Sequence, residues 1–229
     1  MAVRIRTDES IAKDVVDSLY WDSRVDASKV SVKVDNGIVT LSGTVPTSSS
    51  RAAASEDAWV ITGVREVNNK IKVDYLMEAP SDNNIASNIK DRFDWDDDLF
   101  PYDIQVNVVA GWVTLESTVD TFWKKVRAED LAFSTRGVVG VTNKIAVVPT
   151  QTIADESLAE DLINALDRNV NVNVDDINVT VENGTVTLTG TVPGWSAKRA
   201  AYDTARYTLG VKEVKDRVTV RLLEETLQG

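Results

Sequence analysis

One pattern constrains this chain more than any other: three landmarks recur, in order, at nearly constant spacing. Asp8, Asp82 and Asp155 head similar segments; Gly37, Gly111 and Gly184 follow; Gly63, Gly137 and Gly210 come next. Every landmark moves by 74 residues from the first copy to the second and by 73 from the second to the third, so the copies align without an internal gap. Self-similarity at a fixed period is the signature of one structural unit repeated. The joints, around Asp74 to Ser81 and Val148 to Ala154, are short and each holds one proline, Pro80 and Pro149. The expected domains are 1–77, 78–150 and 151–229.

Within each copy the periodicity changes in a fixed order. Apolar residues first recur at helical spacing, as Ile11, Val15 and Leu19, then Ile85, Ile89 and Phe93, then Leu158, Leu162 and Leu166. Strict alternation follows: Val30, Val32 and Val34 face inward with Ser31, Lys33 and Asp35 outward, the pattern of a half-buried strand. Asn36-Gly37 and Asn183-Gly184 tolerate the positive φ of a two-residue hairpin turn, and a returning strand alternates Val39, Leu41 and Val45 with polar residues. A second helix is marked by pairs of alanines, Ala54 and Ala58, Ala128 and Ala132, Ala201 and Ala205, small enough for close approach to a sheet. It stops at Gly63, Gly137 or Gly210, and a last strand ends the unit. Helix, strand, strand, helix, strand predicts an α+β unit with both helices on one face of a three-stranded sheet. The other face stays open, and in the third copy it is a polar lawn from Asn178 to Thr219 without a pocket.

Composition excludes much chemistry. The chain has no His and no Cys, which removes imidazole bases, thiolate nucleophiles, disulfides and metal sites built from those ligands. Its 25 basic and 36 acidic residues leave a net charge of −11, so the molecule as a whole repels nucleic acid and anionic membrane, and any such contact has to be local. No apolar run is long enough for a transmembrane segment, and Met1 to Asp8 lacks the apolar stretch of a signal peptide. The expectation is a soluble cytoplasmic protein, periplasmic if the chain has been trimmed, with no cofactor and no metal. Asp94-Trp95-Asp96-Asp97-Asp98 matches the start of a calcium loop, but Leu99 stands where glycine is needed and Gln105 where a bidentate glutamate is expected. A solvated loop is the default reading there.

The hairpin Asn36-Gly37-Ile38-Val39-Thr40-Leu41-Ser42-Gly43-Thr44-Val45 and the segment Gly63-Val64-Arg65-Glu66-Val67, echoed from Gly137 and from Gly210, resemble the BON domain. That small module is found in bacterial osmotically inducible periplasmic proteins and envelope lipoproteins. The resemblance implies three tandem αββαβ two-layer sandwiches with mixed sheets, no enzymatic activity, and binding to phospholipid or envelope surfaces in osmotic or general stress protection. Ser117 departs from the pattern where the other copies have Gly43 and Gly190.

Aromatic rings beside basic groups suit a headgroup boundary. Phe122, Trp123, Lys124 and Lys125 with Arg127, and Trp195 with Lys198 and Arg199, are therefore the candidate lipid-binding residues at the start of the second helix in copies two and three. The first copy has Ser48, Ser49 and Ser50 there. Expected partners are an anionic phospholipid surface or an envelope-associated protein, with self-association into a homo-oligomer through a terminal unit. The alternative is a cytoplasmic protein–protein interaction scaffold with no lipid contact.

Overall fold

A computed structural model describes residues 6–74 and 80–221; residues 75–79, the body of the expected first joint, and the two ends, including most of the segment Met1 to Asp8, lie outside the described residues. In the first repeat Thr7 accepts a hydrogen bond from the Ser10 N–H and starts helix α1 (Asp8–Trp21). Strands β1 (Val30–Asp35) and β2 (Ile38–Val45) form an antiparallel hairpin, and helix α2 (Ser48–Trp59) is capped by Thr47. Short strands β3 (Glu66–Asn69) and β4 (Lys72–Val73) then both pair in parallel with β2, which is the central strand.

The second repeat runs α3 (Asp82–Asp94), β5 (Gln105–Val109), β6 (Trp112–Glu116), β7 (Thr118–Val119), α4 (Phe122–Phe133), β8 (Gly140–Asn143) and β9 (Ala146–Val147). Its central strand is again antiparallel to the strand before it and parallel to the one after. The third runs α5 (Asp155–Asp167), β10 (Ile177–Glu182), β11 (Thr185–Val192), α6 (Trp195–Tyr207) and an unbroken β12 (Glu213–Val220), in the order β10-β11-β12. The fold is thus α+β, one αββαβ unit three times over. Two compact units make up the chain: the first repeat with Pro193–Trp195 in one, the bulk of the second and third repeats in the other.

Each repeat has its own core between helices and sheet. In the first, Ile11, Val15 and Leu19 of α1 meet Val39 and Leu41 of β2 and Ala54 and Ala58 of α2, all buried. The alanines act through their size, because a larger side chain would hold the helix away from the strands. Burial of that stripe is the main stabilising term, at about 25 cal/mol per Å² of apolar surface removed from water.

The repeated aspartate holds helix and hairpin together. The Asp8 carboxylate accepts the backbone N–H groups of Asn36 at 2.7 Å and Gly37 at 2.9 Å. Asp82 does the same for Ala110 and Gly111, both at 2.8 Å, and Asp155 for Asn183 at 2.6 Å and Gly184 at 2.9 Å. The turn residue is left-handed in every copy, with φ of 51°, 51° and 52° at Asn36, Ala110 and Asn183. Such turns point two N–H groups outward together, and one carboxylate satisfies both. An alanine at that φ in the second copy shows that the clamp tolerates a residue less suited to it than asparagine.

The central strand differs at one position. Gly43 and Gly190 have φ of 124° and 134°. A Cβ on them would stand 2.0 Å from the Lys29 carbonyl and 2.1 Å from the Asp176 carbonyl. Ser117 occupies the matching place, the strand breaks there into β6 and β7, and the serine Oγ donates at 3.0 Å to the carbonyl of Asp103, the counterpart of Lys29 and Asp176.

Candidate functional site

Where the first helix of a repeat ends it meets the second helix, and the three repeats fill this seam differently. In the third, the neutral Asn169 donates to Thr204 Oγ1 at 3.2 Å. In the first, two carboxyls meet: Asp57 of α2 lies against Asp22, which accepts the Arg24 guanidinium at 2.7 Å. The Arg24 hydrogen bond holds Asp22 below the ordinary carboxylate range, while burial, then the Asp22 charge, pushes Asp57 up to about 6. In the second repeat Leu131 stands at the Asp57 position, and Arg127 Nε of α4, four residues earlier, pairs with Asp96 Oδ2 at 3.0 Å.

That pairing organises the acidic loop. Asp96 has 9% of its side chain exposed and also accepts the Asp98 N–H, while Leu99 is a fully buried part of the core. The loop is thus anchored at two points rather than solvated throughout. On either side of the anchors it displays aromatics: Trp95 is 89% exposed and Phe100 67%. Trp21, at the matching position of the first repeat, is 82% exposed beside Tyr20. Rings this uncovered are unusual on a folded surface and mark contact sites.

The eight residues singled out from the sequence are spread around their helices. Phe122 is buried. Trp123 is half-buried with its ring 6.4 Å from Tyr207, and Lys125 is half-buried. Lys124 turns back to Asp120 at 2.9 Å and to the Tyr102 hydroxyl at 3.0 Å. Burial opposes the Asp120 charge, but the hydrogen bonds from Lys124 and Tyr102 outweigh it and hold that carboxyl below its ordinary range. Trp195, grouped in space with the first repeat, stacks on Trp59 with centroids 4.5 Å apart. Lys198 donates to the Val218 carbonyl at 2.6 Å and pairs with Asp216 at 3.4 Å. In the other repeats Asn69 and Asn143 donate their own side-chain N–H to the helix, a bond an aspartate cannot make, so the third repeat supplies the donor from a lysine. Arg199 pairs with Asp203 at 2.9 Å on the exposed surface.

Among the described residues no cluster of three or more carboxylates has a metal-holding arrangement, and no helix is long and apolar enough to cross a membrane. Compared with known proteins, the chain matches the BON domain family three times, over residues 7–75, 81–149 and 154–221. The chain belongs to the BON domain family. It is 30% identical over 143 residues to osmotically-inducible protein Y of Escherichia coli strain K12, covering 60% of this chain and 71% of that protein. An uncharacterized protein from the gshII 5′ region of Anaplasma centrale is 35% identical over 92 residues, 38% of this chain and 61% of that one. Among solved structures it is similar to CdsD, a structural protein of the type III secretion system of Chlamydia trachomatis, at 15% identity, 91% coverage of both chains and a TM-score of 0.27. It is also similar to the PrgH periplasmic domain, at 12% identity, 90% of this chain, 99% of that one and a TM-score of 0.21. Scores that low carry no argument about function.

The exposed aromatics of this BON chain left a trace in the sequence. Trp21 lies two residues past Leu19, about 200° round the helix from the buried stripe, and Trp95 lies two past Phe93. An aromatic off the stripe has no place in the helix's own core.

Proposed function

We propose that the chain is a non-enzymatic binding module of the stress response, three domains bounded at 1–77, 78–150 and 151–229, that docks on phospholipid headgroups. Family membership and the osmotically-inducible relative support the stress-related setting. The observation that carries the lipid reading is the second-repeat seam, where the Arg127–Asp96 pair holds a cation against the loop displaying Trp95 and Phe100. Rings enter the headgroup boundary while the half-exposed Arg127 guanidinium keeps its Nε on Asp96 and turns its terminal N–H groups to a phosphate. Lys125 and Arg199 add cationic contacts, and the remaining nominated residues position the helices that carry them. The neighbouring Asp94, Asp97 and Asp98 weaken attraction to anionic lipid, so aromatic insertion dominates and affinity is modest.

Co-sedimentation of the full chain with phosphatidylcholine and with mixed phosphatidylcholine–phosphatidylglycerol vesicles tests this. The chain should pellet with vesicles, and Trp95→Ser with Phe100→Ser should leave it in the supernatant. A wild-type chain that pellets with neither vesicle supports the scaffold reading instead, and a double variant that pellets as before removes the loop as the contact.

A further inference from the structure

The open sheet face of the second repeat is chemically unlike its two counterparts. Val109, Trp112 and Gly140 lie side by side across β5, β6 and β8. The same row is Asp35, Ile38 and Glu66 in the first repeat and Glu182, Thr185 and Glu213 in the third, so the middle copy alone lacks carboxylates there. Further along the face, Lys33 and Lys70, or Lys215 and Arg217, add charge in the outer repeats. The middle face carries only Glu116 and Lys144, joined at 3.0 Å. On a chain of net charge −11 it is a neutral surface.

Its tryptophan is locked rather than merely exposed. The Trp112 Nε1–H donates to Thr142 Oγ1 at 2.8 Å. One face of the indole lies on Gly140, where any Cβ would come within 2.7 to 3.0 Å of ring atoms Cζ3, Cη2 and Cε3. The side chain is nonetheless 52% exposed, and Val109 beside it 66%. A flat ring, pinned from below, therefore presents its other face to solvent. The next row along the sheet is Asn107, Thr114 and Thr142, three uncharged hydrogen-bonding side chains about 7 Å from the first row, the spacing of alternate residues in a strand.

We propose that this face binds a neutral, β-linked oligosaccharide, one pyranose stacking on Trp112 and the next meeting Asn107, Thr114 and Thr142. The electron-rich indole face attracts the polarised C–H groups of a sugar ring, and the amide and hydroxyl row matches sugar hydroxyls. A polyanion meets no net positive charge here, since Glu116 offsets the charge of Lys144. A protein partner would need an interface of about 800 Å² per side built round an apolar centre, and one indole and one valine are a small centre. Two rows in line along the strands suit an extended β-1,4-linked chain rather than a coiled α-1,4-linked one.

Titration of the ¹⁵N-labelled full chain with chitohexaose, cellohexaose and maltohexaose, following indole N–H signals, reads the site directly; the Trp112→Phe spectrum identifies the Trp112 signal. The Trp112 signal should move with a β-linked hexasaccharide at millimolar concentration and less with maltohexaose. Affinity should fall about tenfold or more in Trp112→Ala and in Gly140→Ala, which keeps the indole but pushes it off its seat, and should be largely retained in Trp112→Phe. Thr185→Ala, the matching position of the third repeat, should change nothing. No movement with any hexasaccharide, equal or tighter binding of maltohexaose, or full binding by Trp112→Ala overturns the proposal. Loss in Trp112→Ala of a concentration-dependent self-association, without saccharide binding, assigns the face to a second copy instead. None of these outcomes touches the Trp95 loop, so the lipid reading is judged separately.

Discussion

The second repeat and its two neighbours share a frame and part company at three places, each through few residues. At the central strand, Gly43 and Gly190 let a carbonyl press against their Cα, while Ser117 breaks the strand and gives that carbonyl a hydroxyl donor. At the seam, Asn169 bonds Thr204 and Asp22 takes the cation two residues on, Arg24, while Asp96 takes its cation from the second helix, through Arg127. On the open face, carboxylates give way to Val109, Trp112 and Gly140. Repetition supplies a frame already stable in three copies, so one copy can change its surface while the aspartate clamp and the alanine packing are kept.

The largest effect should separate the two strand solutions. Gly43→Ala and Gly190→Ala each place a Cβ about as close to a carbonyl as a covalent neighbour, at a φ that L residues rarely adopt, and should cost about 3 kcal/mol or more. Ser117→Ala, which removes one hydrogen bond, should cost about 1 kcal/mol in urea unfolding. A tolerated Gly190→Ala breaks the comparison. Next in size is the shared frame: Asp8→Ala, Asp82→Ala and Asp155→Ala each strip two backbone N–H groups of a charged acceptor and should cost about 2 kcal/mol in every repeat. Unequal losses would mean that the middle repeat has drifted in its frame as well as its surface.

The seam predicts a pH signature confined to the first repeat. Asp57 titrates near 3.8 when unfolded and about 6 when folded, so folding takes up a proton in that window and this group's contribution to stability declines as pH rises through it. Asp22 acts oppositely, losing its contribution as pH falls below the ordinary carboxylate range. Asp57→Asn supplies a permanent neutral donor and should stabilise by about 1 kcal/mol at pH 7, after discounting for partial exposure, and by nothing near pH 4. Thermal unfolding at both pH values checks this, and a gain at pH 4 equal to that at pH 7 would contradict the uptake of a proton by Asp57 on folding. Smallest of all, Arg127→Gln should change stability by less than about 1 kcal/mol while weakening vesicle binding.

Much of the frame was legible in the sequence because its signals are local. The stripe Ile11, Val15, Leu19 is buried as its spacing requires, and Asn36-Gly37 makes the left-handed turn. The work of Asp8 was not legible, since its partners lie 28 and 29 residues away and only the fold brings them together. The candidate residues at the start of α4 illustrate a different limit. Neighbours in sequence sit about 100° apart round a helix, so Phe122 turns into the core, Lys124 back to Asp120 and Arg127 across to Asp96. The acidic run read as a solvated loop because nothing local shows that Leu99 closes the core beneath it.

Among the six tryptophans, the one that meets lipid decides whether the middle repeat carries the function. Full chains retaining a single tryptophan, at position 95, 123 or 195 with phenylalanine at the rest, can be followed by emission wavelength as phosphatidylcholine–phosphatidylglycerol vesicles are added. The account predicts a blue shift for the chain keeping Trp95 and little change for those keeping Trp123 or Trp195, whose rings already lie near Tyr207 and against Trp59. A blue shift at Trp123 or Trp195 with none at Trp95 would contradict it.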